Sequence, residues 1–136
     1  MTGGVPVDDG NCFACGPHNA DGLKLEFERN ADGSVHATIV LDPKFQGWQG
    51  IAHGGIVMML LDEAMAHASG HAGERGMTAS MSVRFRKPVP LGVPIVLDGF
   101  VRWRRGRVLG LEGRVSAADG TLLATSEGNF VSAGTM

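Results

Sequence analysis

Residues 50–70 read GIAHGGIVMMLLDEAMAHASG. The run over 56–68, IVMMLLDEAMAHA, contains neither Gly nor Pro and is rich in Met, Leu and Ala, a composition that favours helix over strand. It predicts the one clear helix of the chain. Two adjacent carboxylates, Asp62 and Glu63, interrupt the apolar run, so this helix carries acid where burial would disfavour charge.

Stretches with the alternating period of half-buried strands lie on both sides of the predicted helix. Residues 23–29 and 34–42 precede it, with the turn NADG between them, and predict a hairpin. Four more strands are predicted after the helix, over residues 78–87, 94–105, 106–118 and 120–132. Proline and glycine turn residues separate these four. The predicted order is two strands, one helix and four strands.

This order predicts an α+β fold in which a helix lies on an antiparallel sheet of about six strands. Residues 56–61 are apolar almost all round, so we expect the sheet to curve about the helix. The 136 residues, 43% of them hydrophobic, suit one domain over 1–136. Residues 1–20 are predicted to form its irregular N-terminal segment.

Charge and hydropathy argue against several classes of partner. The net charge of -2 gives no general attraction to nucleic acid or to an anionic membrane. No apolar run reaches the ~20 residues of a spanning helix, and the first residues lack the pattern of a signal peptide. We therefore expect a cytoplasmic protein with no nucleic-acid or membrane partner.

The two cysteines, Cys12 and Cys15, form a single C-x-x-C. A structural zinc needs four ligands, and no second C-x-x-C completes the set. His67 and His71, spaced i, i+4, could supply the other two ligands, so a Cys2His2 site stays open. We favour small buried thiols in a turn-rich segment, and predict no metal and no organic cofactor.

Three stretches resemble one protein family. GWQGIAHGGIVMMLLDEAM, in which six residues separate H-G-G from Asp62, resembles the H-G-G…D signature of the hotdog-fold acyl-CoA thioesterases, specifically the phenylacetate-degradation-type (PaaI-like) branch. CFACGPHNADGLKLEF and TASMSVRFRKPVPLG resemble the segments before and after it, so the resemblance covers residues 11–92. It implies a hotdog fold, a long central helix wrapped by a curved antiparallel sheet, and an enzyme that hydrolyses an acyl-CoA thioester.

The resemblance also implies roles for individual residues. Asp62 would activate a water, the Gly54 N–H would hold the carbonyl oxygen, and Thr78 would place a hydroxyl near that water. Some members hold the thioester with an upstream Asn or Gln, for which Gln46 is the nearest candidate. Glu63 is the rival carboxylate, because it points about 100° further round the helix.

Physical chemistry supports an oxyanion site at the start of the predicted helix. The first N–H groups of a helix are unpaired and its N-terminus carries partial positive charge, so a developing oxyanion is stabilised there. Gly54 and Gly55 let a ligand approach the backbone, although glycines also start tightly packed helices. His53 precedes them as either an orienting residue or a catalytic base.

The spacing of Gly54 and Asp62 predicts an oligomer. They lie eight residues apart, which is roughly 12 Å along one helix. One reacting carbonyl cannot be within ~3 Å of the Gly54 donor and also close to a water on Asp62 of the same chain. We therefore expect a homodimer, or a dimer of dimers (homotetramer), in which each site combines Gly54 of one copy with Asp62 of another.

Residues 84–107 contain seven of the twelve Lys and Arg residues and one acid. Arg84 and Arg86 are expected to share one strand face, as are Arg102 and Arg104, and Lys87 lies beside the first pair. Such clusters suit the phosphates of coenzyme A, with a solvated outer face as the alternative. We predict Arg84, Arg86 and Lys87 as substrate-binding residues.

Two other functions stay open on the same fold. One is an acyl-CoA binding module without catalysis, and the other is a hydratase or dehydratase in which a His and an acid act on carbon. The sequence has no G-x-S-x-G elbow, phosphate loop or HExxH motif, so serine-hydrolase, nucleotide-binding and zincin functions find no support.

Overall fold

A computed structural model describes residues 6–135 of the chain. Its elements are β1 (Glu28–Arg29), β2 (Val35–Val40), a 3-10 turn (Pro43–Phe45), α1 (Gly54–His71), β3 (Glu74–Phe85), β4 (Pro94–Arg105), β5 (Val108–Ala117) and β6 (Leu122–Thr135). The six strands form one antiparallel sheet in the order β1-β2-β4-β5-β6-β3. The α+β hotdog prediction is confirmed.

The sheet curves around one side of α1. The helix buries its side chains on that side and exposes those on the other. The buried helix residues, spaced three and four apart, are Val57, Leu60, Leu61, Ala64, Met65, Ala68 and Ser69. Helix and sheet approach so closely that a Cβ added to Gly99 of β4 would lie 2.1 Å from the Ala64 carbonyl oxygen. The apolar residues 56–61 are not all buried, since Met58 is 41% exposed.

The first predicted strand is shorter than its alternating pattern suggested. Only Glu28–Arg29 pairs with β2, whereas 23–29 was predicted. Backbone bonds to the N-terminal segment replace the missing ladder: Leu23 N–H donates to Phe13 O at 2.9 Å, and Leu25 N–H to Ala14 O at 2.9 Å. The alternation still buries Leu25, so the pattern reported burial correctly and strand pairing incorrectly.

The helix and the strand after it are longer than predicted. α1 starts at Gly54 and ends at His71, beyond both ends of 56–68, and β3 begins at Glu74 instead of residue 78. Gly73, with φ of 88°, makes the turn between them, a conformation that suits glycine. The three connections after β3 fall where the turn residues predicted them.

A bulge in β3 changes which residues of that strand face the helix. Thr78 pairs with Phe130 and Ser80 with Asn129, so Ala79 has no partner of its own on β6. Beyond the bulge, Met81 and Val83 pack against the core. Because one extra residue shifts the alternation, Thr78 faces the helix as well, although it is an odd number of positions from Met81.

The N-terminal segment, residues 6–22, has no helix or strand and packs on the rest of the chain through Ala14, which is 3% exposed. Residues 1–5 of the predicted irregular segment 1–20 lie outside the described residues.

No helix within 6–135 has the length and apolar character needed to cross a membrane. The extent of the domain and the cellular location stay predictions.

Candidate active site

The start of α1 has a fixed geometry that leaves one backbone donor free. His53 is the N-cap, and its Nδ1 accepts the Gly55 N–H at 2.9 Å. The carbonyl oxygen of His53 accepts the N–H groups of Ile56 and Val57. Within residues 6–135, no acceptor bonds the Gly54 N–H. Of the two predicted glycines, Gly54 is therefore the one whose donor can bind a ligand.

The capping bond bears on the two roles left open for His53. Its Nδ1 must hold a lone pair to accept from Gly55, so the proton of the neutral ring sits on Nε2. The ring is thereby tied to the helix backbone. This arrangement favours His53 as an orienting residue that fixes the direction of the helix start.

A short loop before the helix is held by the predicted amide. Gln46 Oε1 accepts the Gly50 N–H at 2.9 Å, and residue 46 forms an isolated bridge with Ala52. The carboxamide oxygen of Gln46 is thus used within the loop, and its NH2 group is the part available to a ligand. Trp48, at the tip of this loop, is 83% exposed.

Asp62 and Thr78 lie together between α1 and β3. Thr78 Oγ1 donates to Asp62 Oδ1 at 2.5 Å, and both residues are partly buried. This bond satisfies one carboxylate oxygen and leaves Oδ2 for another donor. The structure therefore places two of the predicted site residues in direct contact, on elements that the sequence separates.

The rival carboxylate points toward the N-terminal segment. Glu63 Oε1 accepts from His67 Nε2 at 3.0 Å, and its side chain is 13% exposed. Burial favours a higher pKa for Glu63, but the hydrogen bond from His67 and the neighbouring Cys15 thiol outweigh it and lower the pKa. Burial and the nearby Glu63 carboxylate in turn raise the pKa of the Cys15 thiol. Asp62 and Glu63 therefore occupy separate environments.

One side of α1 is open along its length. Gly54, Met58 and Asp62 follow one another at intervals of four, so they lie along the same side of the helix. Phe85 flanks the helix start, since a Cβ added to Gly54 would be 3.7 Å from its ring. Phe85 is 52% exposed. The open stripe thus joins a helix N-terminus with an unpaired N–H, an apolar middle and a carboxylate.

Gly54 and Asp62 are not brought together within one chain. Both belong to the continuous helix Gly54–His71, so the roughly 12 Å given by the helical rise separates their Cα atoms. His53, Gly54, Gly55 and Gln46 cluster at the helix start, while Asp62 and Thr78 form a second cluster two turns further on.

The predicted substrate-binding residues Arg84, Arg86 and Lys87 lie at the end of β3 and just beyond it. Arg84 and Arg86 line a shared cleft with Glu112 and Arg114, and Lys87 follows this pair in sequence. Strand alternation places Arg84 on the face opposite Val83, and hence away from α1 of its own chain. These basic side chains belong neither to the cluster at the helix start nor to the pair formed by Asp62 and Thr78.

The prediction that Arg102 and Arg104 share one face was wrong. A bulge lies between Val101 and Trp103, so the alternation shifts within β4. Arg102 contacts Glu112, whereas Arg104 forms an ion pair with the buried Glu74. These two arginines are thus engaged with different acids.

Sequence reasoning missed two features of the site and its surroundings. It did not foresee Phe85 beside Gly54, nor the group formed by Glu63, His67 and the two cysteines. The i, i+4 spacing of Glu63 and His67 could have predicted the contact between these two side chains. The expectation of buried thiols was wrong for Cys12, which is exposed, because the N-terminal turn leaves it at the surface.

Comparison with known proteins identifies the family. The family model described as "Thioesterase superfamily" matches residues 49–124, more than half of the chain. The chain belongs to this superfamily. It is also 31% identical, over 115 residues, to acyl-coenzyme A thioesterase THEM4 of Bos taurus, and the match covers 82% of this chain and 47% of that protein. The superfamily member described here thus spans about half the length of this curated relative.

Solved structures of superfamily members share the fold. One thioesterase superfamily protein superposes with a TM-score of 0.85 at 36% identity, covering 89% of this chain and 60% of that one. The PaaI protein from the phenylacetic acid degradation operon of E. coli gives a TM-score of 0.76 at 18% identity, covering 84% and 83%. The predicted hotdog thioesterase family is therefore confirmed.

Proposed function

We propose that this superfamily member is an acyl-CoA thioesterase, a thioester hydrolase that uses no metal in the reaction. The observation that carries the proposal is the hydrogen bond from Thr78 Oγ1 to Asp62 Oδ1. It fixes a helix carboxylate on the open side of α1, with one oxygen free to take a proton from water. Similarity to a protein named acyl-coenzyme A thioesterase supports the substrate class.

In the proposed reaction, a water bound to Asp62 Oδ2 attacks the thioester carbonyl carbon while its proton passes to the carboxylate. The Gly54 N–H stabilises the oxyanion of the tetrahedral intermediate, with the positive end of the helix dipole behind it. When the carbon–sulfur bond breaks, the proton on Asp62 passes to the departing sulfur. The products are a carboxylic acid, which ionises in water, and the free thiol.

Two copies are needed for this reaction, because Gly54 and Asp62 of one helix are roughly 12 Å apart. The stripe of Gly54, Met58 and Asp62 is open to a second copy, and Met58 within it and Phe85 beside it expose apolar surface. Antiparallel packing of two such stripes would place each Gly54 against the other Asp62. The proposed state is a homodimer with two composite sites, alone or paired into a tetramer.

In the dimer, the basic residues Arg84, Arg86 and Lys87 are proposed to bind the coenzyme A phosphates. They lie at and just beyond the end of β3, the edge strand that also carries Thr78. Guanidinium groups suit phosphate oxygens through paired hydrogen bonds. Gln46, through its free NH2 group, is proposed to hold the thioester carbonyl region.

Thiol release from a panel of short, medium and aromatic acyl-CoAs tests the function. Turnover that disappears in Asp62→Asn, while the fold is kept, is the expected result. Saturable binding of acyl-CoA without turnover would instead support a binding module. Addition or loss of water at the acyl chain, with the thioester intact, would support a hydratase or dehydratase.

A further inference from the structure

Two thiols and a carboxylate meet where the N-terminal segment contacts α1. The Sγ atoms of Cys12 and Cys15 and one carboxylate oxygen of Glu63 all lie within 4.8 Å of one another. None of the three takes part in the hydrolysis proposed above. We propose that Cys12, Cys15 and Glu63 bind one Zn²⁺ ion, which fastens the N-terminal segment to the helix.

The two cysteines are held on a tight turn that presents both sulfurs together. Gly16 N–H donates to Cys12 O at 2.8 Å and closes the turn. A Cβ on Gly16 would lie 2.4 Å from the Cys12 nitrogen, so this position accepts only glycine in the present backbone. The turn is also anchored to the body of the protein by the Phe13 and Ala14 carbonyls. Both sulfurs are thus positioned without a metal.

The spacing of the three donor atoms is close to that required by a single ion. Zinc binds thiolate at about 2.3 Å and carboxylate oxygen at about 2.0–2.2 Å, so two sulfurs on a tetrahedral zinc are roughly 3.8 Å apart. The observed group, within 4.8 Å, needs to contract by about 1 Å at most. Rotation of the exposed Cys12 side chain can supply that movement.

His67 acts in this site as a positioning residue. Its Nε2–H donates to Glu63 Oε1 at 3.0 Å, and its ring stacks on Phe27 with centroids 4.5 Å apart. A ring held in this way orients the carboxylate and leaves the other carboxylate oxygen for the ion, as outer-sphere partners do in metal sites. A water can complete the four ligands from the adjoining cleft of about 820 Å³, which also gives the ion an entry path.

The chemistry of the donors selects the ion. Thiolates are soft ligands and carboxylate is hard, a combination that suits zinc and excludes calcium or magnesium, which prefer all-oxygen sites. The set also differs from the Cys2His2 site that the sequence left open. His71 is absent from the group of donors found in residues 6–135.

Metal titration of the wild-type chain tests the site directly. Tag-free protein is reduced, stripped with a chelator and titrated without oxygen with Co²⁺, whose bonds to thiolate give a characteristic charge-transfer absorption. We expect one Co²⁺ per chain with that absorption, its displacement by Zn²⁺, and a rise in the melting temperature when Zn²⁺ is added.

Variants assign the ligands. Cys12→Ser and Cys15→Ser should each abolish the thiolate absorption, Glu63→Gln should weaken binding, and His67→Gln should weaken it by ~10–100-fold as expected for an outer-sphere partner. His71→Gln, an imidazole on the same helix, is the matched control and should bind as the wild type does. Circular dichroism of each chain checks the fold.

Three results would overturn the proposal. The first is no cobalt–thiolate absorption from the reduced wild type when it is titrated without oxygen. The second is unchanged binding after Glu63→Gln. The third is loss of binding in His71→Gln, which would assign the ion to the imidazoles.

Discussion

The Thr78 hydroxyl donates a 2.5 Å hydrogen bond to Asp62 Oδ1 across sixteen residues of sequence. The bond joins the edge strand β3 to the open side of α1. Asp62, and not Glu63, is therefore the carboxylate of the open stripe, because Glu63 is bound to His67 on the side of the N-terminal segment. The proposed chemistry depends on this separation of two neighbouring acids.

Asp62→Asn should lower thioester turnover by ~10²-fold or more, the scale of general-base loss, because the amide cannot take a proton from water. The change is nearly isosteric, so the fold should persist. Glu63→Gln, the neighbouring change, should have a smaller effect on kcat. Steady-state thiol release measures both, and a larger loss in folded Glu63→Gln would show that the wrong carboxylate was chosen.

Thr78→Val should reduce kcat by about tenfold or more, since a hydrogen bond to a charged group contributes ~1.5–3 kcal/mol. Valine keeps the shape and removes the donor to Asp62. Thr78→Ser keeps a hydroxyl and should retain most of the activity. If valine and serine behave alike in thiol release, the hydroxyl has no part in the reaction.

Gly54→Pro should inactivate the site, because proline removes the N–H proposed to hold the oxyanion. Proline is well tolerated at the first helical position, which Gly54 occupies after the His53 cap. Gly54→Ala is the matched control, since it retains the N–H and its Cβ would meet Phe85 at an ordinary 3.7 Å. Alanine should keep most of the turnover that proline loses.

Mixed subunits test the shared site. Refolding Gly54→Pro together with Asp62→Asn should restore up to roughly a quarter of wild-type activity, because half of the dimers are then mixed and each mixed dimer has one intact site. Each variant refolded alone serves as the control. Confirmed heterodimers without any recovery would place the whole site within one chain.

Gly99→Ala should destabilise the chain by about 1–3 kcal/mol, the range for overpacking, because its Cβ would lie 2.1 Å from the Ala64 carbonyl oxygen. Gly70→Ala is the contrasting change. A Cβ at Gly70, in the last turns of α1, meets nothing within 4 Å, and alanine is the better helix former by about 1 kcal/mol. Urea unfolding should show a lower free energy of unfolding for Gly99→Ala and a higher one for Gly70→Ala. A Gly99→Ala chain that is as stable as the wild type or more so would contradict the close approach of helix and sheet.

Glu74→Gln should reduce stability at neutral pH and matter less in acid. Ser132 Oγ donates to the buried carboxylate at 2.6 Å and Arg104 pairs with it, and both lower its pKa. The pKa of Glu74 is lower in the folded chain than in the unfolded chain. The stabilisation from its carboxylate is therefore present above the ordinary glutamate pKa of about 4.3, and it is lost as pH falls through the folded-state pKa. Melting temperatures of both chains should therefore converge below pH ~4, and a constant difference would contradict this.

The sequence by itself determined the element types and their order. The apolar run over 56–68 predicted the helix, and alternation predicted the strands, because both signals come from which side of each local element is buried. The glycines after His53 and the acid at Asp62 also marked the candidate site before any contact was known. These features depend on neighbours within a few residues, so they can be read from the chain.

The tertiary structure alone decided where those side chains point. Strict alternation from Met81 and Val83 would have turned Thr78 away from the helix, and the bulge at Ala79 reversed this. Likewise, the docking of the N-terminal segment captured the backbone of Leu23 and Leu25 and shortened β1. Bulges and docked segments arise from competition among distant hydrogen-bond partners, and local periodicity carries no information about that competition.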